Sequence, residues 1–127
     1  AWRTEYAPIM WQLPMLGRRY NRFGDIWSGL FIKHTLDAIG SVMVLNGKAT
    51  VVHDRASDPI KNLERELIGI PVNEKLNEAL SSAHHGQTEM TAAYRCITDL
   101  AHGHFSRFDR EYADHFIAAR DVWLSQF

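Results

Sequence analysis

The sequence lacks the features that mark several classes of protein. It has one cysteine, Cys96, so no disulfide can form within the chain, and this favours a reducing, cytoplasmic setting. No apolar run approaches the roughly 18 residues that a membrane-spanning helix needs, and no signal-like segment opens the chain. With 14 basic and 15 acidic residues the net charge is −1. The sequence therefore predicts no membrane span and no nucleic-acid partner.

Common catalytic signatures are also missing. The chain contains no P-loop, no G-x-S-x-G element and no dinucleotide fingerprint. The pairs His84-His85 and His102-x-His104 lack the i, i+4 helical spacing and the cysteine partners of a zinc site, so a structural or solvent-exposed role is favoured for them.

Hydrophobic periodicity predicts a mostly helical chain of 127 residues with enough apolar side chains to bury a core. The clearest helix runs from Asp25 to Ile39 and is ended by Gly40. Pro71 is expected to break a helix that begins near residue 59. Beyond it we predict helices at residues 73–83 and 88–101, the latter ended by Gly103, and a last helix that begins with the capping-box-like pair Ser106 and Asp109.

One short β-hairpin is predicted after the first helix. The runs Val42 to Leu45 and Ala49 to Val52 flank Asn46-Gly47, which is a strong signal for a tight turn. Because both runs are almost wholly apolar, both faces of the hairpin are expected to be buried. A sheet supplied by residues outside this sequence would cover them.

The segment that follows, His53 to Ile70, reads HDRASDPIKNLERELIGI and predicts a polar loop that feeds a helix. Asp58 is a helix-capping residue, and Pro59 is tolerated in a first turn because its missing N–H would be unpaired there. The free N–H groups of a helix start attract anions such as a diphosphate. His53 and Arg55 lie just upstream, within reach of the same anion.

A second notable segment precedes the first long helix. The loop from Leu16 to Gly24 carries three arginines among two aromatic residues, namely Arg18, Arg19, Arg22, Tyr20 and Phe23. Such a loop can clamp phosphates. Alternatively, it is a solvated loop whose aromatic side chains pack under the core, and the sequence does not decide between the two.

Two segments resemble one known family. We call Arg22 to Gly29, RFGDIWSG, the first signature segment, and it is similar to the R-Y-D-D-M-W-A-G of the reversibly glycosylated polypeptides, the UDP-arabinopyranose mutases. We call His53 to Ile70 the second signature segment, and it resembles that family's H-x-K-A-S-N-P-x-x-N-L-x-x-E-x-x-G-I. The resemblance covers roughly residues 18–70.

The resemblance implies a fold and a place in a larger protein. Residues 1–70 would be the C-terminal part of a GT-A-like α/β glycosyltransferase domain, and residues 71–127 a helical C-terminal extension. The chain then reads as mostly α with one short β-hairpin. Family members carry an aspartate-rich metal motif upstream, and no D-x-D occurs here. The expected partners are a nucleotide-diphosphate sugar and either the missing N-terminal half or another copy of the chain.

The resemblance also implies roles for individual residues. Asp25 would face the sugar as a base or hydroxyl acceptor, although a helix-capping role alone would explain it. His53 would bind a divalent metal, Mn or Mg, or the diphosphate; the alternative is a histidine that orders the loop. Arg55 stands where the family has lysine, and its fork suits phosphate. The remaining candidates for substrate or diphosphate binding are Arg22, Lys61 and Asn62.

The function that these expectations favour is a nucleotide-sugar-dependent glycosyltransferase or sugar mutase. Gly24 replaces the second acidic residue of the family motif, so the full acidic pair is absent. Two alternatives stay open. The first is a catalytically inactive relative that acts as a partner subunit, and the second is a helical interaction module that uses the aromatic stripe of the last helix.

Overall fold

The computed structural model describes residues 3–44, 56, 58–82 and 86–127. Its elements in chain order are 3₁₀ helices at Thr4–Ile9 and Asn21–Phe23 and the α-helices α1 (Gly24–Ala38), α2 (Pro59–Glu66), α3 (Ile70–Ser81), α4 (Met90–Phe105) and α5 (Arg110–Leu124). The structure is 68% helix, which confirms the mostly helical prediction.

The predicted β-hairpin is wrong. No strand is present in the part of the chain that the structure describes, and Val42 to Val44 of the first predicted strand form no ladder. The tight turn and the second run lie outside the described residues. Val42 and Val44 are 77% and 80% exposed, and no sheet among the described residues covers them. An isolated two-stranded hairpin is marginal in water. The α/β assignment is withdrawn with it.

Helix α4 lies at the centre of the fold and contacts α1, α3 and α5. Near its C-terminal end, the fully buried ring of Phe105 packs against four other buried aromatic rings, of which Phe31 is the most distant at 6.5 Å between centroids. The ring centroids lie 4.8 Å away for Trp27, 5.4 Å for Tyr112 and 5.5 Å for Phe116. The core is therefore an aromatic cluster shared by α1, α4 and α5.

The core joins residues from both sides of position 70. Helix α1 precedes that position and packs on α4, which follows it. The division into residues 1–70 and 71–127 stays a prediction. No helix in the described ranges is both long enough and apolar enough to cross a membrane.

Helix α2 is the least buried of these helices. It begins where Asp58 Oδ1 accepts hydrogen bonds from the N–H groups of Ile60 (3.1 Å) and Lys61 (3.2 Å), with Pro59 in the first turn, as predicted. None of its residues is buried. It contacts the Asn21–Phe23 turn, and this contact places it beside the start of α1.

Candidate functional site

The two signature segments contact each other directly. Arg22, in the first segment, donates a hydrogen bond from Nε to Oε1 of Glu66, in the second, over 3.2 Å. Both side chains are 39% exposed, so the pair lies at the surface and contributes modestly to stability. Its geometric consequence is larger, because it ties the end of α2 to the turn that leads into α1.

The second contact joins Phe23 and Gly69. Gly69 is buried, and a Cβ atom placed on it would overlap the ring of Phe23. Its backbone, with φ −88° and ψ −20°, is one that any residue adopts. The glycine is therefore required by the close approach of the ring, because every other side chain would push Phe23 away.

Asp25 lies in the first turn of α1, where a carboxylate interacts favourably with the helix dipole. It is not the capping residue. The N-cap position is Phe23, and the Asp25 Oδ1 accepts a hydrogen bond of 2.9 Å from the N–H of Ile26. The side chain is exposed, and in the described part of the chain Oδ2 accepts no hydrogen bond. A ligand hydroxyl can therefore reach that oxygen.

Arg22 and Asp25 line one depression of about 450 Å³. The rest of its wall is contributed by Gln12, Met15, Asn21 and Gly24. A Cβ atom on Gly24 would approach Met15 Cγ to 2.8 Å, so the place where the family has an acidic residue is occupied here by the Met15 side chain. The structure thus brings a guanidinium and a carboxylate to the same surface, and the binding and catalytic roles of these two residues stay predictions.

Lys61 and Asn62 lie on α2 and do not line that depression. The Lys61 ammonium is 3.8 Å from the Asp58 carboxylate and is 72% exposed. Asp58 also takes two of the N–H groups at the start of α2, so this helix start offers fewer donors to an anion than the sequence alone predicts. Direct binding of diphosphate by Lys61 and Asn62 stays a prediction.

His53 and Arg55 lie outside the described residues, and their predicted roles are untested. Within the described ranges, no group of three or more metal-binding side chains converges on one point. Of the residues that the structure describes, Asp25 alone contributes a carboxylate to the depression, and Glu66 is already bonded to Arg22. The described residues of this depression therefore do not form a metal site by themselves.

The arginine-rich loop, residues 16–24, fits neither of its two interpretations, a phosphate clamp or a solvated loop, along its whole length. Arg18 pairs with Glu111 at 2.9 Å and Asp109 at 3.2 Å, and Tyr20 is buried and donates a hydrogen bond of 2.8 Å to Asp109. Burial raises the pKa of Asp109. Hydrogen bonds from the Tyr112 N–H and the Tyr20 hydroxyl, together with the charge of Arg18, lower it by more than burial raises it, so the pKa of Asp109 lies below its usual value. Arg18 and Tyr20 are structural. Arg19 is exposed and does not line the depression, whereas Arg22 does.

Sequence reasoning missed the three side chains that complete the depression, Gln12, Met15 and Asn21. Gln12 and Met15 belong to the turn between the first 3₁₀ helix and the arginine-rich loop, where no periodicity marks a site. Asn21 directly precedes Arg22, and its position next to the first signature segment is the one feature of the sequence that suggests a place in the site.

Comparison with known proteins gives a consistent result. A family model described as "Reversibly glycosylated polypeptide" matches residues 5–124. UDP-arabinopyranose mutase 1 of Arabidopsis thaliana is 29% identical over 110 residues, which are 85% of this chain and 30% of the relative. The chain thus spans about a third of the length of that relative. No solved structure matches.

Proposed function

Because the chain belongs to the reversibly glycosylated polypeptide family, we propose that it handles a nucleotide-diphosphate sugar, as part of a glycosyltransferase or a sugar mutase. The name of the Arabidopsis relative supports a UDP-sugar as the substrate class. The observation that carries the proposal is the direct contact between the two signature segments, through Arg22 with Glu66 and Phe23 with Gly69.

This contact places the end of α2 beside the segment that carries Arg22 and Asp25. In the proposed site, Asp25 accepts a hydrogen bond from a sugar hydroxyl or takes its proton at Oδ2. Arg22 keeps its terminal guanidinium nitrogens for a phosphate oxygen while Glu66 holds its Nε. Stabilising the charge that builds up on the departing diphosphate is the main electrostatic task of such a site.

The chain that leads into α2 completes the proposed site. His53 and Arg55, which precede Asp58 in the sequence, contact the diphosphate, and Lys61 and Asn62 assist from the first turns of α2. A divalent metal, Mn or Mg, would neutralise diphosphate charge when bound, with His53 as one ligand. Its other ligands would come from residues beyond the described ranges.

An inactive partner subunit is the second candidate, and the surface of α2 favours it. Ile60 is 66% and Leu63 is 49% exposed on this amphipathic helix. The version of the interaction module that uses the last helix is not supported, because Tyr112 and Phe116 of its aromatic stripe are fully buried in the core.

The proposal is tested by titrating the chain with UDP and a UDP-sugar in the presence of manganese, by calorimetry. We expect His53→Ala to weaken UDP binding by about tenfold or more, equivalent to roughly 1.4 kcal/mol. Asp25→Asn should leave UDP binding nearly unchanged and weaken binding or conversion of the UDP-sugar, because Asp25 faces the sugar.

The matched control is His115→Ala, which removes an exposed histidine on α5, far along the chain from both signature segments. Circular dichroism establishes that each variant is folded. Equal UDP affinity in the wild-type chain and His53→Ala would remove His53 from the site. Binding of UDP without any conversion of UDP-sugars by the full-length protein would favour the inactive partner.

A further inference from the structure

A second cavity, about 440 Å³ in volume, lies between the start of α3 and the C-terminal end of α4. This volume is within the range of small-molecule sites. Its lining residues are Ile68, Pro71, Val72, Lys75, His104, Arg107 and Phe108. None of them lines the depression that holds Arg22 and Asp25.

The polar side chains of this cavity are all basic. Lys75 comes from α3, His104 from α4 and Arg107 from the turn after α4, and among the described residues no acidic side chain lines the cavity. Cationic groups from separate elements that converge without a counter-charge form a favourable place for an anion, above all a phosphate.

His104 reports on the charge in this cavity. Its Nε2 lies 3.2 Å from the Val72 carbonyl oxygen, which can only accept, so Nε2 carries the proton and Nδ1 is the position that a second proton would take. Burial lowers the pKa of His104, and the charges of Arg107 and Lys75 lower it further, although the Val72 hydrogen bond opposes them. An anion bound beside Arg107 and Lys75 would offset their positive charges and so raise the pKa of His104.

The other wall of the cavity is apolar. The ring of Phe108 is 42% exposed, and its position is fixed by packing on Tyr20, with ring centroids 5.1 Å apart. Ile68 is also partly exposed at this wall. An exposed, well-anchored aromatic ring is a stacking platform for a flat group.

We infer that this cavity binds a small phosphate monoester that carries an aromatic group, with the phosphate on Lys75, His104 and Arg107 and the aromatic group on Phe108. This site is separate from the proposed nucleotide-sugar site and does not depend on it. An inorganic phosphate fills only the basic half, so it should bind more weakly than an aromatic phosphate.

The test uses phenyl phosphate as the probe and NMR of the full chain as the readout. We expect phenyl phosphate to shift the amide resonances around Val72 and His104 and to raise the pKa of His104. Since the bound state then holds more protons than the free state, affinity attributable to His104 rises as the pH falls through its titration. Lys75→Gln combined with Arg107→Gln should weaken binding by roughly tenfold or more.

Two control variants distinguish binding in this cavity from non-specific attraction of an anion to surface cations and from binding at the proposed nucleotide-sugar site. Arg110→Gln removes a cation that is 85% exposed and does not line the cavity, so binding should be unchanged. Asp25→Asn should also leave phenyl phosphate binding unchanged. The inference is overturned if phenyl phosphate causes no shift around His104, if inorganic phosphate binds equally well, or if Asp25→Asn abolishes binding while the double variant does not.

Discussion

Replacing Phe105 with alanine should lower the free energy of unfolding by about 3–5 kcal/mol. The ring is fully buried and packs against the rings of Trp27, Tyr112 and Phe116 at centroid distances of 4.8–5.5 Å. Its removal loses both the transfer free energy and the favourable aromatic pairs, and the rigid neighbouring rings prevent the cavity from collapsing. Since domains of this size have roughly 5–15 kcal/mol of stability, much of the total is at stake.

Urea unfolding monitored by circular dichroism measures this effect, provided that the transition is two-state. The matched control is Phe127→Ala, because that ring is 63% exposed and contacts only Trp123 among the described aromatic rings. The control should lose less than about 1 kcal/mol. If Phe105→Ala is too unstable to study, Phe105→Leu should show a smaller loss in the same direction. Equal losses for Phe105→Ala and Phe127→Ala would contradict the central place of this ring.

Gly69→Ala should destabilise the fold by roughly 1–3 kcal/mol, which is the usual range for an overpacked site. The added methyl group overlaps the ring of Phe23, which is buried and packs on Trp27 with centroids 5.6 Å apart. The ring cannot move aside without disturbing the core. The backbone of Gly69 suits alanine, so the small entropic gain of a Gly→Ala change is present but is outweighed.

Gly103→Ala is the matched control and should act in the opposite direction. Gly103 lies inside α4, and a Cβ atom there meets nothing within 4 Å, so alanine should stabilise the helix by about 0.5–1 kcal/mol. Thermal or urea unfolding of both variants gives the comparison. A stable Gly69→Ala variant would show that Phe23 and Gly69 are not in close contact, and would remove one of the two links between the signature segments.

The sequence predicts the structure best where the determinants are local. Asp58 and Pro59 define the start of α2 because capping and first-turn proline act within three residues. Trp27 and Phe31 share a face of α1 because residues four positions apart lie on the same side of an α-helix. Both are fully buried.

It fails where tertiary packing decides between local signals. Gly103 was expected to end α4, but the helix continues to Phe105 because burial of Ala101 and Phe105 offsets the cost of a glycine. Phe105, at the centre of the aromatic core, therefore lies beyond the predicted end of this helix. The helix that begins at Pro59 does end before Pro71, as predicted, but the next helix begins at Ile70 and not at residue 73, because proline is tolerated in the first turn of a helix.

The candidate site was predictable only in part, for a similar reason. Asp25 and Arg22 are three residues apart, and their shared surface follows from the local chain. The link from Arg22 to Glu66 spans 44 residues and depends on how α2 packs on the Asn21–Phe23 turn. No periodicity reveals such a contact, although both residues belong to signature segments. The cavity around His104 depends on the packing of α3 against α4 in the same way.

The central claim is that the two signature segments form one nucleotide-diphosphate site, and paramagnetic broadening by manganese tests it most directly. The measurement compares backbone NMR spectra of the chain with UDP before and after Mn²⁺ is added. The account predicts that the resonances of residues 22–26 and of residues 53–62 broaden together, while those of residues 120–124, at the far end of α5, broaden least. Broadening confined to one of the two segments, or spread evenly over the chain, would contradict it.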